Sequence, residues 1–395
     1  MNKPEPRYPL ASSGWDADEL GAVQRVLDSG MYTMGEEVRR FEVEFARYMG
    51  SRFAVMVNSG SSANLLAVAA LFYRRSHPLQ PGDEIIVPAV SWPTTYYPLA
   101  QYGLRLKFVD IDRHTLNLDL NQLEAAVGPK TRGVFLVNLL GNPNDFSRVQ
   151  AIADERNLLI LEDNCESLGA TFEGRRAGTF GLMGTHSTFF SHHMATMEGG
   201  LMVTDDEELY HILLCLRAHG WTRDLPPENL VTGTKGLDSF DESFRFVLPG
   251  YNVRPLEMSG AIGLEQLRKL PEFVRIRRSN ADLFRAAIHD LPGVGVQEEV
   301  GQSSWFGFSM VFSPYVFRSR REVVDEFARR GIECRPIVAG NFYRNPVVRF
   351  LDHEVAGDLK VADEISEWGL FVGNHHYEIP EEIALLRSAL EQLIS

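Results

Sequence analysis

The stretch Thr185–Gly200 reads THSTFFSHHMATMEGG and concentrates hydroxyls, two imidazoles, a carboxylate and paired glycines. An imidazole titrates near neutrality, so His192 could take up and return a proton during a reaction. Taken alone, His192 and His193 read as an incidental pair near a strand end. Earlier in the chain, FAVMV (Phe53–Val57) runs directly into NSGSSANLLAVAAL. A strand, a Gly/Ser turn and a helix make a phosphate cradle, because free backbone N–H groups and hydroxyls meet the positive end of the helix. Gly60 and Ser61 are the phosphate candidates; the plainer alternative is helix capping by Ser61 or Ser62. Arg335 could grip a carboxylate with both arms of its guanidinium, or simply face solvent from a strand.

Composition limits what these groups can serve. The chain has 395 residues, 44% hydrophobic and 23% charged, enough for one large core and a smaller domain. A net charge of -14 without a long basic run disfavours nucleic acid or an anionic membrane as partner. The first twenty residues hold no apolar leader, and no apolar run is long enough to span a bilayer, so a cytoplasmic location is expected. Cys165, Cys215 and Cys334 are too few and too scattered for a disulfide framework or a CxxC metal site.

The elements that must position the candidates follow from hydrophobic spacing. Asp16–Ser29 and Glu36–Met49 have apolar residues at helical intervals. Glu84–Pro88, Leu106–Asp110, Val134–Val137 and Leu158–Glu162 are short apolar runs separated by helical or turn segments. Buried strands alternating with helices predict a mainly parallel sheet covered on both faces, an α/β three-layer domain whose ligands sit beyond the carboxyl ends of the strands. Trp92, Asn138, Asn142 and Asp163 all fall just past such ends. Glu257–Arg285 is helical in pattern with a break expected at Pro271. It leads from a large domain, residues 1–265, into a smaller α+β domain, 266–395. There Trp305–Phe312 reads as a strand and Arg321–Arg330 as a helix returning to a strand at Arg335.

GSSAN, EDNCESLGA, the Ser187–Gly200 stretch and GYNVRP together resemble the DegT/DnrJ/EryC1/StrS aminotransferase family, vitamin-B6-dependent enzymes acting on nucleotide-linked sugars. The resemblance covers nearly the whole chain and implies the fold-type I, aspartate-aminotransferase-like architecture. In that family a strand carries a phosphate-binding Ser. A Lys five residues on forms a Schiff base with pyridoxal phosphate, ahead of a Gly-Glu-Gly-Gly turn. Here Ser187 and Glu198-Gly199-Gly200 fall in register, but the Lys position is His192, whether aligned from the Ser or from the Glu. The substitution marks the branch that removes the sugar 3-hydroxyl instead of transaminating. Imidazole forms no stable Schiff base, so pyridoxal or pyridoxamine 5'-phosphate would be held non-covalently, with His192 as acid and base.

The resemblance assigns further roles. Asp163 would keep the cofactor pyridine nitrogen protonated and Trp92 would stack over the ring, the plainer alternatives being a turn or capping Asp and a core Trp; apart from the resemblance, Glu166, three residues past Asp163, could orient the site. Asn252, in the GYNVRP segment, would reach the partner's cofactor phosphate across a homodimer with shared active sites. His219 and Arg223, in LRAHGWTRD, would serve the partner's sugar-nucleotide or phosphate site, the alternative for Arg223 being an ordinary surface charge. The implied substrate is a GDP-linked 4-keto-6-deoxy sugar, with L-glutamate as amino donor and 2-oxoglutarate and ammonia released. No metal, iron–sulfur cluster or reductase is expected, since no Cys lies between Cys215 and Cys334 to build a cluster. The rivals are an ordinary nucleotide-sugar aminotransferase, for which none of Lys107, Lys130 or Lys235 sits in a suitable motif, and a non-catalytic relative.

Overall fold

The computed structural model describes residues 5–394; the outermost ends of the two expected domains, residues 1–4 and 395, lie outside the described residues. Twelve strands carry the architecture: β1 Phe53–Val57, β2 Glu84–Pro88, β3 Arg105–Val109, β4 Thr131–Val137, β5 Leu159–Asp163, β6 Met183–Ser187, β7 Gly200–Thr204, β8 Val294–Val296, β9 Gly307–Phe312, β10 Cys334–Arg335, β11 His353–Val355 and β12 Gly369–Gly373. Eight of them form one sheet in the order β1-β7-β6-β5-β4-β2-β3-β11. Only β7 runs antiparallel to its neighbours.

Successive side chains on a strand point to opposite faces, and both faces here are apolar. Ile85, Val87, Phe108 and Phe135 join the core built on helices Gly60–Tyr73 and Glu207–Arg217. Ile86, Val109, Val134 and Leu136 join Phe146, Val149 and Ile152 of helix Phe146–Arg156 on the other side. The result is the expected three-layer α/β fold.

The smaller sheet, β8-β9-β12-β10, is antiparallel and packs Phe308, Met310 and Phe312 against Phe284, Val323, Phe327 and Leu386. Helix Glu257–Ile288 connects the two regions and runs on through Pro271 without the expected break. The expected boundary at 265/266 lies inside this helix, and β11 pairs with β3 of the large sheet. Glu257, at the helix start, accepts hydrogen bonds from the backbone of Gly35 (2.5 Å) and Glu37 (2.6 Å). Its carboxylate thereby caps the positive end of helix Glu36–Met49. A Cβ on Gly260 would lie 2.6 Å from the Val38 nitrogen, so that helix crossing admits only glycine. No described helix is long and apolar enough to cross a membrane.

Candidate active site

A cleft of about 610 Å3 opens at the carboxyl ends of β1, β2, β5 and β6. Its phosphate-like end is built from the β1 turn and the last residue of β6. The cap of helix Gly60–Tyr73 is Ser59, whose Oγ accepts from the Ser62 nitrogen at 3.1 Å. That corrects the capping alternative for Ser61 and Ser62: the helix begins at Gly60, one turn position earlier, and Ser61 lines the cleft. A Cβ on Gly60 would sit 2.6 Å from Ser187 Cβ and 3.1 Å from its Oγ. Gly60, Ser61 and Ser187 therefore enclose a small concavity at a helix N-terminus that a side chain would fill.

At the opposite end Asp163 terminates β5. Its Oδ2 accepts from Asn64 Nδ2 and Thr95 Oγ1, both at 2.8 Å, and its Oδ1 accepts from the Cys165 nitrogen at 3.2 Å. Thr185 Oγ1 donates to Asn64 Oδ1 at 2.5 Å and fixes the orientation of that amide. Asn64 and Thr95 are functional neighbours that sequence reasoning missed. The signal was present, since Asn64 ends GSSAN on the first turn of the helix and Thr95 follows Trp92 in SWPTT, but neither spacing points to Asp163 before the sheet is assembled. Glu166 also lines the cleft; its carboxylate accepts from the Leu140 nitrogen at 3.1 Å. Burial, reinforced by the nearby Asp163 charge, pushes Glu166 up to about 7.

The two adjacent histidines separate. His192 stands in the turn after β6, half-buried in the cleft wall, with its backbone nitrogen bonded to the Phe189 carbonyl at 2.9 Å. Its ring meets Phe306 edge-on, centroids 5.2 Å apart. Burial, then the charge of Arg277, pushes His192 down to about 4, so the imidazole is neutral at pH 7. His193 is buried behind it and bonds through Nε2 to the Ser304 carbonyl at 2.9 Å. Trp92 lies on the cleft rim and is 56% exposed, a broad apolar face offered to a flat ligand. Arg335 enters from the small sheet beside Glu333, whose carboxylate accepts from the Leu10 nitrogen at 2.9 Å. Nothing in the local sequence marks Leu10 and Ala11 as cleft walls; the N-terminal segment is brought there by pairing Tyr8 with Ile332 and by the Tyr8 hydroxyl donating to the Gly373 carbonyl.

Three candidates stand elsewhere. His219 and Arg223 flank Trp221, Asn252 pairs with nearby Ala218, and none of the three is among the residues lining the cleft of their own chain. The Arg223 guanidinium lies 4.3 Å from the centre of the Trp221 ring, and the His219 ring 4.7 Å from it. Asn252 pairs with Ala218 through the backbone, and its Oδ1 accepts from Arg254 Nε at 3.1 Å.

Residues 14–385 match the DegT/DnrJ/EryC1/StrS aminotransferase family. The chain belongs to that family. Among its DegT/DnrJ/EryC1/StrS relatives, GDP-4-keto-6-deoxy-D-mannose 3-dehydratase of Yersinia pseudotuberculosis is 56% identical over 393 residues, 99% of this chain and 100% of the relative. The enzyme of the same name from Escherichia coli O55:H7 is 58% identical over 385 residues, 97% of this chain and 99% of the relative. The solved structure of E. coli GDP-4-keto-6-deoxy-D-mannose-3-dehydratase with bound hydrated pyridoxal phosphate superposes with a TM-score of 0.96, covering 98% of this chain and 100% of the other at 58% identity.

The cleft fits the cofactor of this DegT/DnrJ/EryC1/StrS relative at both ends. The concavity at Gly60 suits a phosphate, and the Asp163 carboxylate, held by three donors, suits a pyridine nitrogen. Among the described residues no lysine lines the cleft, and no group of three or more His, Cys, Asp or Glu side chains is placed to hold a metal ion.

Proposed function

We propose that this protein is a pyridoxal-phosphate-dependent 3-dehydratase acting on a GDP-linked 4-keto-6-deoxymannose. L-glutamate is the amino donor, and the protein works in dideoxysugar synthesis of the colitose type for O-antigen. The observation that carries the reading is His192: an imidazole stands where the family places its lysine, in a cleft whose other cofactor groups are intact. Pyridoxamine phosphate, when bound, would supply an amine for the 4-keto carbon and a ring able to take up the electrons left by a lost proton and release them as the C3 hydroxyl departs.

The chain's own residues then divide the work. Gly60, Ser61 and Ser187 hold the phosphate, Asp163 holds the proton on the ring nitrogen, and Trp92 covers the ring. His192 begins neutral, so its ring nitrogen takes a proton first and then delivers one to the departing C3 oxygen. Glu166 keeps a proton near neutrality and orients the site beside Asp163. Arg335 binds the glutamate carboxylate from the small sheet. The electron count closes without a reductase: glutamate leaves as 2-oxoglutarate and ammonia, and its two electrons replace the C3 carbon–oxygen bond with carbon–hydrogen.

Asn252, His219 and Arg223 are assigned to the partner's site in a homodimer, consistent with their place outside the cleft of their own chain. Residues 1–265 are taken as the cofactor-binding region and 266–395 as the small domain, in a cytoplasmic protein. The test is ammonia release by the pure protein with pyridoxal phosphate, glutamate and GDP-4-keto-6-deoxymannose, no reductase added. Ammonia and 2-oxoglutarate in equal amounts are expected. An amino sugar as product would make the protein a transaminase, and silence with this substrate would reject the GDP sugar.

A further inference from the structure

Behind the cleft lies a cation that nothing in the proposed reaction has used. Arg277, on helix Glu257–Ile288, is 5% exposed and has no carboxylate within ion-pair distance among the described residues. Its Nη1 donates to the carbonyls of Phe306 (3.2 Å) and Asn374 (2.7 Å), while its Nε is buried without a partner. Burying an unpaired charge is expensive, and two carbonyl acceptors require only a donor, not a cation. Burial pulls the guanidinium down to about 10, which still leaves it charged at neutral pH.

The charge is surrounded by imidazoles. His192 and His193 lie on one side, both against the Phe306 ring whose carbonyl Arg277 holds. His375 and His376 follow Asn374 on the other. In all four the Arg277 charge adds to burial in favouring the neutral ring. The other ionisable groups around His192 are His193 on its own segment and, across the cleft, Asp163, Glu166, Glu198, Glu333 and Arg335. None of these carboxylates hydrogen-bonds the His192 ring, and Arg277 is the charge that acts on it.

We propose that Arg277 is a positioning residue for the reaction: its buried guanidinium fixes the Phe306 support of His192 and sets a positive charge behind that imidazole, so that it meets the substrate as a base. The inference rests on His192 being the proton carrier. It assigns a purpose to a charge that is otherwise costly, and it predicts that the charge matters as well as the hydrogen bonds.

The experiment uses the cofactor-loaded full chain with isotope-labelled histidine. The His192 signal, identified by its loss in His192→Asn, is titrated by NMR in the native protein, Arg277→Gln and Arg277→Lys, with the pH profile of turnover recorded alongside. The expected result is that His192 stays neutral to about pH 5 in the native and lysine proteins. In Arg277→Gln its midpoint rises by about one unit or more, and the acid limb of kcat moves with it. Arg277→Met replaces the glutamine variant should that one fail to fold. A His192 midpoint of about 6.5 in the native protein overturns the proposal. So does an equal midpoint in all three proteins, or a loss of kcat that is uniform across pH. Normal turnover by His192→Asn would instead overturn the proton-carrier reading, and the two failures are distinct because the NMR titration does not depend on turnover.

Discussion

The cleft groups and the Trp221 cluster differ in how they are held. Asp163, Ser187 and Gly60 stand at the ends of sheet strands or the start of a helix packed on them, and Asp163 has a donor on both oxygens. His219, Arg223 and Asn252 sit outside regular strands and helices: His219 and Arg223 lie against Trp221, Asn252 bonds Arg254, and nearby Phe240, Phe244 and Phe246 are 74%, 59% and 55% exposed. One set lines the cleft of its own chain; the other stands outside that cleft. A site assembled from both would join a rigid half to a half that a second copy must bring.

The comparison can be broken or sharpened by experiment. The largest effect is expected at His192. His192→Asn should lower dehydration by about 10²–10⁴-fold while leaving cofactor absorbance in place, because the cofactor is held by the other groups. Loss of cofactor in that variant, seen on gel filtration, would show that His192 is a binding group instead.

Glu166 tests whether the rigid half stores electrostatic cost. Its carboxyl is raised to about 7 in the folded chain, so the fold binds a proton there that the unfolded chain releases at lower pH. Stability should therefore fall as pH rises from about 4.5 to about 7, by up to about 3 kcal/mol. Glu166→Gln should remove that decline in the cofactor-free protein, and parallel melting curves at pH 5 and 8 for both proteins would refute it.

Gly60→Ala should weaken cofactor binding by about 1–3 kcal/mol, since the added Cβ must displace Ser187. A titration of cofactor fluorescence measures this directly, and an unchanged affinity would remove the phosphate from that concavity. The smallest effect, about tenfold in cofactor affinity (~1.4 kcal/mol), is expected for Asn252→Ala. Mixing that variant with His192→Asn should restore activity beyond the sum of the two, because one hybrid site regains both native residues. No gain on mixing would place Asn252 in its own chain's site and dissolve the distinction between the two halves.

Much of the large domain was legible because its strands are buried on both faces and so read as unbroken apolar runs. Phe53–Val57 and Glu84–Pro88 match the structure residue for residue; β3 and β5 are displaced by one residue along the chain, and β4 starts three residues earlier than expected. Helix Glu257–Ile288 was less so: a proline within a helix removes one hydrogen bond, which the packing of Leu267, Leu270 and Val274 against Phe41 and Phe45 outweighs. The pairing of β7 with β1 and the return of β11 to the large sheet had no local signal, since pairing partners more than a hundred residues apart leave none in the chain.

The sequence by itself determined which groups can do chemistry here. It put an imidazole in place of an amine at position 192, a carboxylate at the end of β5 and a small-residue turn after β1, and residue type alone decides whether a Schiff base can form. Only the tertiary structure decided their state. It turned His192 to the cleft and His193 away, pinned Asp163 with Asn64 and Thr95, and set the unpaired Arg277 behind the imidazole. The physical reason is that burial and neighbouring charge set protonation, and both are properties of surroundings drawn from segments far apart in the chain.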